Sequence, residues 1–407
     1  MNILAPQPNA DGTAYGSPVH THDAELTEVG PGTPCGEFMR RYWHPVALSK
    51  DVSTRPQKLR VLGEDLILFR DGSGRPGLLT PRCAHRGTSL YYGKVDEAGI
   101  SCCYHGWKFD VQGHCIDQPC EPDNGAPRRE RIRQPWYPVE ERYGLVFAYL
   151  GPTAKRPPLP RWEVFENLGP GESLYAHGNT GFGVGADDTI RTIPMNWLQN
   201  FENIMDPFHV PILHTRHRAI QYTPEAAHMP VVSYEHTELG MNYIAHRKLG
   251  DGRDVERVSS ALMPGVFIVP DQQLAVTGPS SYIRWITPVD DQNHSLFHVM
   301  RVPAGVDGPA VFQKVSRPMP MGNATMWSEM TEEQHQEFPT DWEAMQSQGP
   351  ITLHSAEHLA TSDKGVVMLR RLLRQQIQTV RDGGDPMGVN FNPDTVNHVT
   401  AGNYFRG

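Results

Sequence analysis

The sequence predicts an α+β protein with an N-terminal all-β domain and a larger domain that combines antiparallel strands with helices. Three observations support this prediction. Short strand-like segments bounded by glycine turns fill the chain from residue 26 to about residue 150. A proline-rich stretch at 156–160 then interrupts the pattern. Beyond it, longer strand-like segments precede a segment at 355–380 with the Leu, Val and Met spacing of a helix.

The chain divides into three predicted segments. Residues 1–25 are rich in Pro, Gly, Asn and Asp, and we expect a flexible N-terminal arm or one ordered by a neighbouring subunit. Residues 26–155 are the predicted β domain, with a short amphipathic helix at 36–43, and residues 156–407 are the second domain. Gly63-Glu64 is the predicted turn of the first hairpin. The predicted strands lie at 58–62, 65–70, 108–113, 143–150, 233–248, 281–286 and 294–302.

Composition excludes several classes of partner. The 407 residues include 37 Lys and Arg against 46 Asp and Glu, a net charge of −9, with no basic run or basic helix, so we expect no nucleic-acid binding. No apolar run approaches the length of a membrane span, and the first residues lack the features of a signal peptide. We therefore expect a soluble, cytoplasmic protein without a membrane partner.

Cysteines and histidines alternate in two short segments of the β domain. Cys83 and His85 form Cys-x-His, and after sixteen residues Cys102 and His105 form Cys-x-x-His. This alternation is unusual for zinc, although a structural zinc knuckle stays the alternative. It suits a 2Fe–2S cluster in which two cysteines hold one iron and two histidines hold the other. Cys103 is the rival of Cys102, but it would give the second loop a less usual turn.

The other cysteines support the same interpretation. All six lie in the first 120 residues, and such clustering around a Cys/His motif favours metal in a reducing compartment over a disulfide framework. We expect Cys35, Cys115 and Cys120 to be small buried residues and not ligands.

A second candidate metal site follows in the larger domain. Asp206, His209 and His214 form Asp-x-x-His-x-x-x-x-His. On one helix Asp206 and His209 share a face, but residues five apart diverge by about 140°. We expect Pro211 to distort the helix so that the two histidines converge. Two histidines with a carboxylate from elsewhere form the facial triad of non-haem Fe(II) oxygenases. His217 is the rival of His214.

These motifs resemble those of one family. CAHRG and CCYHGW resemble the Rieske domain of ring-hydroxylating oxygenases, and NxxDPFHVPILH resembles their mononuclear-iron motif. The resemblance covers nearly the whole chain. Residues 26–34 and 351–371 look most like the phthalate-dioxygenase branch, whose oxygenases work without a β subunit. It implies an all-β Rieske 2Fe–2S domain at 26–155 and a catalytic domain with an antiparallel helix-grip-like sheet at 156–407.

The resemblance also implies roles for single residues. His209 and His214 are implied as iron ligands, Asp206 as the electron-relay carboxylate and Asn203 as a residue near the iron. The third ligand is implied to be a carboxylate at the start of a helix near the C-terminus.

Asp341, in TDWEAMQSQG, fits this position. Gln346 stands where the family usually has Glu, and a helix-start Asp is more commonly an N-cap. Glu343 and Asp363 remain the rival ligands.

The implied activity is hydroxylation of an aromatic ring, with a carboxylated ring favoured. It uses O2, a Rieske 2Fe–2S cluster, mononuclear Fe(II), and electrons from NAD(P)H through a reductase, alone or with a ferredoxin. Oxidative O-demethylation of a methoxy-aromatic compound needs the same centres and stays open. A homotrimer or a multiple of it is implied.

Other functional readings remain. Arg216, Arg218 and Arg247 could contact a substrate carboxylate, although surface or structural roles are commoner for arginine. The glycines at 178–185 do not follow the order of a dinucleotide loop, so we expect no nicotinamide site in this chain. A Rieske ferredoxin or a non-catalytic metal-binding module is the alternative class.

Overall fold

The computed structural model describes residues 13–14, 16–126, 128–178, 192–217, 223–271, 274, 276–308 and 330–406. Most of the glycine cluster, Arg218 and residues 1–12 of the predicted arm lie outside these residues. The architecture combines helices with mostly antiparallel sheets, which confirms the α+β prediction. The predicted boundaries at 25/26 and 155/156 stay predictions.

Small antiparallel sheets form the N-terminal part. Their strand orders are β1-β11-β10, β2-β3-β4-β9 and β5-β6-β7-β8. The strands are β1 (Trp43–Leu48), β2 (Gln57–Val61), β3 (Glu64–Arg70), β4 (Pro76–Leu79), β5 (Lys94–Asp96), β6 (Gly99–Ser101), β7 (Lys108–Phe109), β8 (Cys115–Asp117), β9 (Trp136–Tyr137), β10 (Val139–Arg142) and β11 (Leu145–Tyr149). Their side chains alternate or are buried throughout, as in the fully buried β11.

Two details of this part differ from the sequence prediction. The first hairpin turns at Leu62-Gly63, one residue earlier than predicted, with φ of 48° and 76°. Two left-handed residues make the turn whose twist matches that of the flanking strands. The strand predicted at 108–113 ends at Phe109, because the Asp110 carboxylate accepts hydrogen bonds from backbone N–H groups at positions 112 and 114 and forms a turn.

A large antiparallel sheet dominates the second part. Its central path runs β13-β21-β20-β18-β17-β16-β15, and β14, β19 and β23 pair beside it. The strands of the second part are β12 (Arg161–Trp162), β13 (Ser173–His177), β14 (Thr192–Ile193), β15 (Val231–His236), β16 (Gly240–Lys248), β17 (Asp254–Leu262), β18 (Val266–Ile268), β19 (Gly278–Pro279), β20 (Tyr282–Asp290), β21 (Asn293–Val302), β22 (Val396–Asn397) and β23 (Gly402–Arg406). Strands β12 and β22 form a separate parallel pair.

The large sheet is covered on both faces. Trp285 and Phe297 on one face share a buried cluster with Trp43 and Phe147 of the N-terminal sheets. The opposite face packs against helices. The α-helices of the described chain are α1 (Ala24–Thr27), α2 (Pro34–Met39), α3 (Trp197–Asn203), α4 (Val210–Leu213), α5 (Glu332–Glu337), α6 (Asp341–Gln346) and α7 (Lys364–Arg381). Residues from α3, α6 and α7 join the buried cluster on this helix-covered face.

The helices also begin and end differently from the prediction. The helix predicted at 36–43 runs from Pro34 to Met39, and Thr33 caps its first turn. The long helix predicted from residue 355 begins at Lys364, after a turn in which the Asp363 carboxylate accepts from the Ala360 N–H. The described end of the N-terminal arm, residues 20–25, contacts its own chain, with ion pairs from α1 and its cap to α7.

Candidate iron–sulfur and mononuclear metal sites

The two Cys/His loops share one backbone arrangement. The first joins β4 to β5 and the second joins β6 to β7. Cys83 and Cys102 donate their N–H groups to the carbonyl five residues later, at 2.9 and 2.8 Å. Their carbonyls accept from Gly87 and Gly106, four residues later, at 2.9 and 3.0 Å. Both glycines have φ above +70°, which only glycine adopts readily. The equivalence favours Cys102 over Cys103 as the partner of Cys83.

The side chains of these loops converge. The His85 and His105 rings lie 4.7 Å apart, and His85 stacks on Trp107 at 4.3 Å. Cys83 and Cys102 are 3% and 4% exposed, whereas Cys103 is exposed. Two buried thiols and two adjacent imidazoles are the donor set that a Rieske cluster requires.

The Cys83 thiol needs a nearby positive charge to ionise. Burial, and then the neighbouring Cys102, raise the pKa of the Cys83 thiol to about 11. A metal cluster supplies the positive charge that holds such thiols as thiolates. Among the remaining cysteines, Cys35 and Cys115 are buried as predicted, but Cys120 is exposed. Its thiol lies 3.6 Å from the carbonyl oxygen of His105.

Gln134 supports the first loop and was not found by sequence reasoning. It is fully buried, and its Oε1 accepts a 2.7 Å hydrogen bond from the Ala84 N–H, between two candidate ligands. Its Nε2 lies within hydrogen-bond distance of the Thr80 carbonyl (2.9 Å), the Thr80 hydroxyl (2.9 Å) and the Arg82 carbonyl (2.8 Å). No local motif marks it, because its partners lie about fifty positions earlier in the chain.

The second site is built at a break between two short helices. α3 ends at Asn203, and the one-turn α4 begins after His209 and ends before His214. Asp206 lies in the connecting segment and not on a helix. Pro211 occupies the first turn of α4, where its missing N–H has no intrahelical acceptor. The prediction that Pro211 distorts a longer helix is therefore wrong: the histidines converge because they flank a single helical turn.

Asp341 completes the group. His209 Nε2 and His214 Nε2 lie 3.3 and 3.2 Å from the same oxygen, Asp341 Oδ1. One ligand atom from each residue lies within 4.8 Å of the others. Ligand atoms about 2.1 Å from a metal and at right angles lie about 3 Å apart, so this spacing fits three adjacent positions of an iron site.

Electrostatics also fit a cation at this point. Burial raises the pKa of Asp341, but its interactions with the neighbouring His214 and His209 outweigh burial and hold the pKa well below its ordinary value. Burial lowers the pKa of His209, but contacts with Asp206 and Asp341 outweigh it and raise the pKa to about 10. Two carboxylates beside two imidazoles therefore favour positive charge at this point.

The other two predicted site residues, Asp206 and Asn203, each contact one member of this group. Asp206 Oδ2 lies 3.4 Å from His209 Nδ1, and Asp206 Oδ1 accepts a 2.9 Å hydrogen bond from the Phe208 N–H. Asn203 Nδ2 donates to Asp341 Oδ1 at 3.2 Å. Asp206 thus contacts the ring nitrogen of His209 that faces away from Asp341, and Asn203 orients the carboxylate.

The rival residues have other contacts. Glu343 accepts from the Thr340 N–H as part of the α6 cap and pairs with His335. Asp363 accepts from a backbone N–H before α7. His217 is exposed, whereas His214 is 2% exposed.

The arginines proposed for a substrate carboxylate also have partners. Arg216 donates to the Ala227 carbonyl, and buried Arg247 donates to the His228 carbonyl at 3.3 Å. Arg218 lies outside the described residues.

Two amides fix the site helices. Gln199 Nε2 on α3 donates to the Met345 carbonyl of α6 at 2.9 Å and to the Gly349 carbonyl at 3.1 Å. Asn200 Nδ2 lies 3.0 Å from His294 Nε2 on β21. α3, which leads into the His209–His214 segment, is thereby attached both to α6, the helix that begins with Asp341, and to the large sheet.

Known proteins resemble this chain both in its N-terminal part and over nearly its whole length. The Rieske [2Fe-2S] domain family matches residues 42–137, which include both Cys/His loops. The phenoxybenzoate dioxygenase subunit alpha of Ectopseudomonas oleovorans is 50% identical over 97% of this chain and 94% of its own length. The 5,5'-dehydrodivanillate O-demethylase oxygenase subunit of Sphingobium sp. is 31% identical over 91% of this chain and 82% of its own.

The fold agrees with that relationship. The crystal structure of dicamba monooxygenase bound to dicamba superimposes with a TM-score of 0.61 at 16% identity, covering 85% of this chain and 99% of that one. The chain belongs to the Rieske non-haem iron oxygenases, and it is an oxidoreductase with a Rieske 2Fe–2S domain. The family's oxygenases use mononuclear iron and electrons delivered by a reductase. None of the described helices is both long and apolar enough to span a membrane.

Proposed function

We propose that this oxygenase hydroxylates an aromatic substrate that carries a carboxylate, using O2 and electrons that a reductase, alone or with a ferredoxin, transfers from NAD(P)H. The convergence of His209, His214 and Asp341 in a chain with Rieske loops carries the proposal. The relative named for phenoxybenzoate supports an aromatic acid as substrate. When bound, the mononuclear iron supplies oxygen activation.

The chain's own residues have the following proposed roles. Cys83, His85, Cys102 and His105 hold the 2Fe–2S cluster. The mononuclear iron is held by His209, His214 and Asp341, and Asn203 orients the carboxylate ligand through its amide. Six unpaired cysteines support a reducing compartment, the cytoplasm.

Asp206 is the proposed relay between the two centres. It contacts one nitrogen of His209, and its side chain is 31% exposed, so a second imidazole can reach it. We propose that this imidazole is His105 of a neighbouring copy, which leaves one ring nitrogen available as a donor when the other binds iron. Such a head-to-tail contact closes as a ring, and a homotrimer or a multiple of it is the proposed assembly.

Oxygen uptake tests the reaction. With a surrogate reductase and NADH, we expect substrate-dependent O2 consumption with phenoxybenzoates or related aromatic acids and a hydroxylated product by mass spectrometry. The relative named as an O-demethylase makes demethylation the second candidate. Methoxybenzoates tested in parallel, with formaldehyde measured, separate the two reactions. Uptake only with methoxy compounds, with stoichiometric formaldehyde, would establish demethylation instead.

Mixed assemblies test the relay. Asp206→Asn chains and His105→Ala chains should each be inactive, the first with both metals retained and the second without a normal cluster. After verified subunit exchange, some assemblies place an intact Asp206 against an intact His105, and activity should return. Exchanged assemblies that stay inactive, or an active monomer in solution, would contradict the intersubunit relay.

A further inference from the structure

One cross-strand row on the helix-covered face of the large sheet changes from apolar to polar. Register pairs place these side chains side by side on neighbouring strands, because directly paired residues point to the same face. In order across the sheet, the row consists of Met241, Ala261, Phe267, Arg284, His298 and His177.

The apolar end of this row lies beneath the helices of the candidate iron site. Met241, Ala261 and Phe267 belong to the buried cluster that includes Phe201 of α3 and Met345 of α6. α3 leads into the His209–His214 segment, and α6 begins with Asp341. The row therefore lies in the layer between the sheet and the iron-site helices.

The polar end is unusual for a buried surface. The Arg284 Nε is buried and has no hydrogen-bond partner, and no carboxylate pairs with its guanidinium among the residues that the structure describes. The guanidinium carbon lies 4.9 Å from the centre of the Tyr282 ring and 5.7 Å from that of Phe267. Arg284 as a whole is half-buried, and a guanidinium with a buried, unpaired Nε favours a negatively charged partner from outside the described chain.

Two histidines extend the polar end. The His298 and His177 rings are 2% and 0% exposed and lie 4.5 Å apart. Burial, and then the charges of His177 and Arg284, lower the pKa of His298 well below its ordinary value. A neutral His298 adds no second buried charge beside Arg284.

Other cationic side chains on this face differ from Arg284. Arg257 donates to the Pro270 carbonyl at 2.7 Å and to Asn403 Oδ1 at 3.2 Å. Arg247 donates to the His228 carbonyl. Their hydrogen bonds account for their burial, whereas the buried Nε of Arg284 has no hydrogen-bond partner among the described residues.

We infer that Arg284, with His298 beside it, is the subsite that binds the carboxylate of the aromatic substrate, whose ring extends over Phe267 toward the iron-site helices. The inference rests on the proposed function, because it names the group that selects an aromatic acid at that same site. A planar guanidinium binds a carboxylate through two parallel hydrogen bonds.

Paired substrates test the inference. We would compare 3-phenoxybenzoate with the neutral 3-phenoxybenzamide for wild type, Arg284→Gln and Arg284→Lys. KM comes from oxygen uptake, and binding without reductase comes from calorimetry. Wild type should prefer the acid, and Arg284→Gln should lose about 10- to 100-fold of that preference while its amide KM stays near wild type. Arg284→Lys should keep part of it, because it retains charge but not the planar pair of donors.

Arg301→Gln is the matched control. Arg301 is on the neighbouring strand β21 but pairs with Glu172, so its loss should leave the acid preference unchanged. The substrate-free melting temperature of Arg284→Gln should stay close to that of wild type, since no internal partner loses an ion pair and only the contacts with the Tyr282 and Phe267 rings are lost. A large fall in melting temperature, or equal losses for acid and amide, would overturn the subsite. Wild type that neither binds nor oxidises any aromatic acid would overturn the substrate proposal and the subsite together, whereas acid preference retained in Arg284→Gln overturns the subsite alone.

Discussion

Replacing Gln134 by leucine should damage the Rieske centre specifically. The side chain is fully buried and satisfies the Ala84 N–H and the carbonyls of Thr80 and Arg82. Leucine has a similar volume but no polar atoms, so these groups lose their partner in a site that excludes water. At about 1–3 kcal/mol for each of these three buried polar groups left without a partner, we expect a loss of at least about 3 kcal/mol in the free energy of local unfolding.

Gln199→Leu is the matched comparison. This glutamine is also buried, but it donates to the carbonyls of Met345 and Gly349 beside the helix of Asp341. We expect Gln199→Leu to cost at least about 2 kcal/mol, because two buried carbonyls lose their donor. Both variants should unfold at lower temperature. Only Gln134→Leu should broaden the electron-paramagnetic signal of the reduced cluster and shorten the lifetime of its colour. Only Gln199→Leu should lower the mononuclear iron content.

Two results would contradict this role of Gln134. A Gln134→Leu protein with a wild-type cluster signal, cluster lifetime and reduction potential would show that the amide does not hold the ligand loop. Equal cluster damage in both variants would show that general destabilisation, and not a local brace, is the cause.

Three further predictions concern the metal sites and the core. Cys102→Ser should lose the Rieske signal while Cys103→Ser keeps it, and the opposite result would reverse the ligand assignment. Asp341→Ala should lower the iron content from about three to about two per chain with the cluster spectrum intact. Glu343→Ala should keep all the iron and lose only about 1 kcal/mol of cap stability, measured by denaturant unfolding. Arg370→Met should destabilise the protein by about 3–5 kcal/mol, because two partly buried carboxylates lose their shared partner. A loss of stability no larger than that for the same substitution of an exposed arginine would contradict this.

The sequence predicted what depends on local spacing. The Cys/His loops and the His209–His214 pair were found because their members lie within a few residues, and the β-hairpins because turn residues separate alternating strands. Asn203 and Asp341 are 138 positions apart, so only the family resemblance suggested Asp341. Their 3.2 Å contact depends on how two short helices pack, which no local pattern encodes.

Tertiary register explains the remaining omissions. Gln134 meets Ala84 across fifty positions, and Arg284 lies beside His298 only because β20 and β21 pair in one particular register. A shift of one residue would turn Arg284 to the opposite face. The prediction for Pro211 was wrong for a local reason. Whether a proline distorts a helix depends on where the helix begins, and helix ends are poorly determined by composition alone.

The long stretch of chain between the His209–His214 pair and Asp341, the third proposed iron ligand, has a consequence for folding. α6 has six residues, too few for an isolated helix to persist in water. A metal held by both α6 and the His209–His214 segment closes a long chain loop, as a disulfide would, and removes disorder that the open chain otherwise retains. Iron bound by these three residues would therefore act as a reversible cross-link as well as a reactive centre. Its removal should increase amide hydrogen exchange in α6 first, and the Rieske loops should keep their protection.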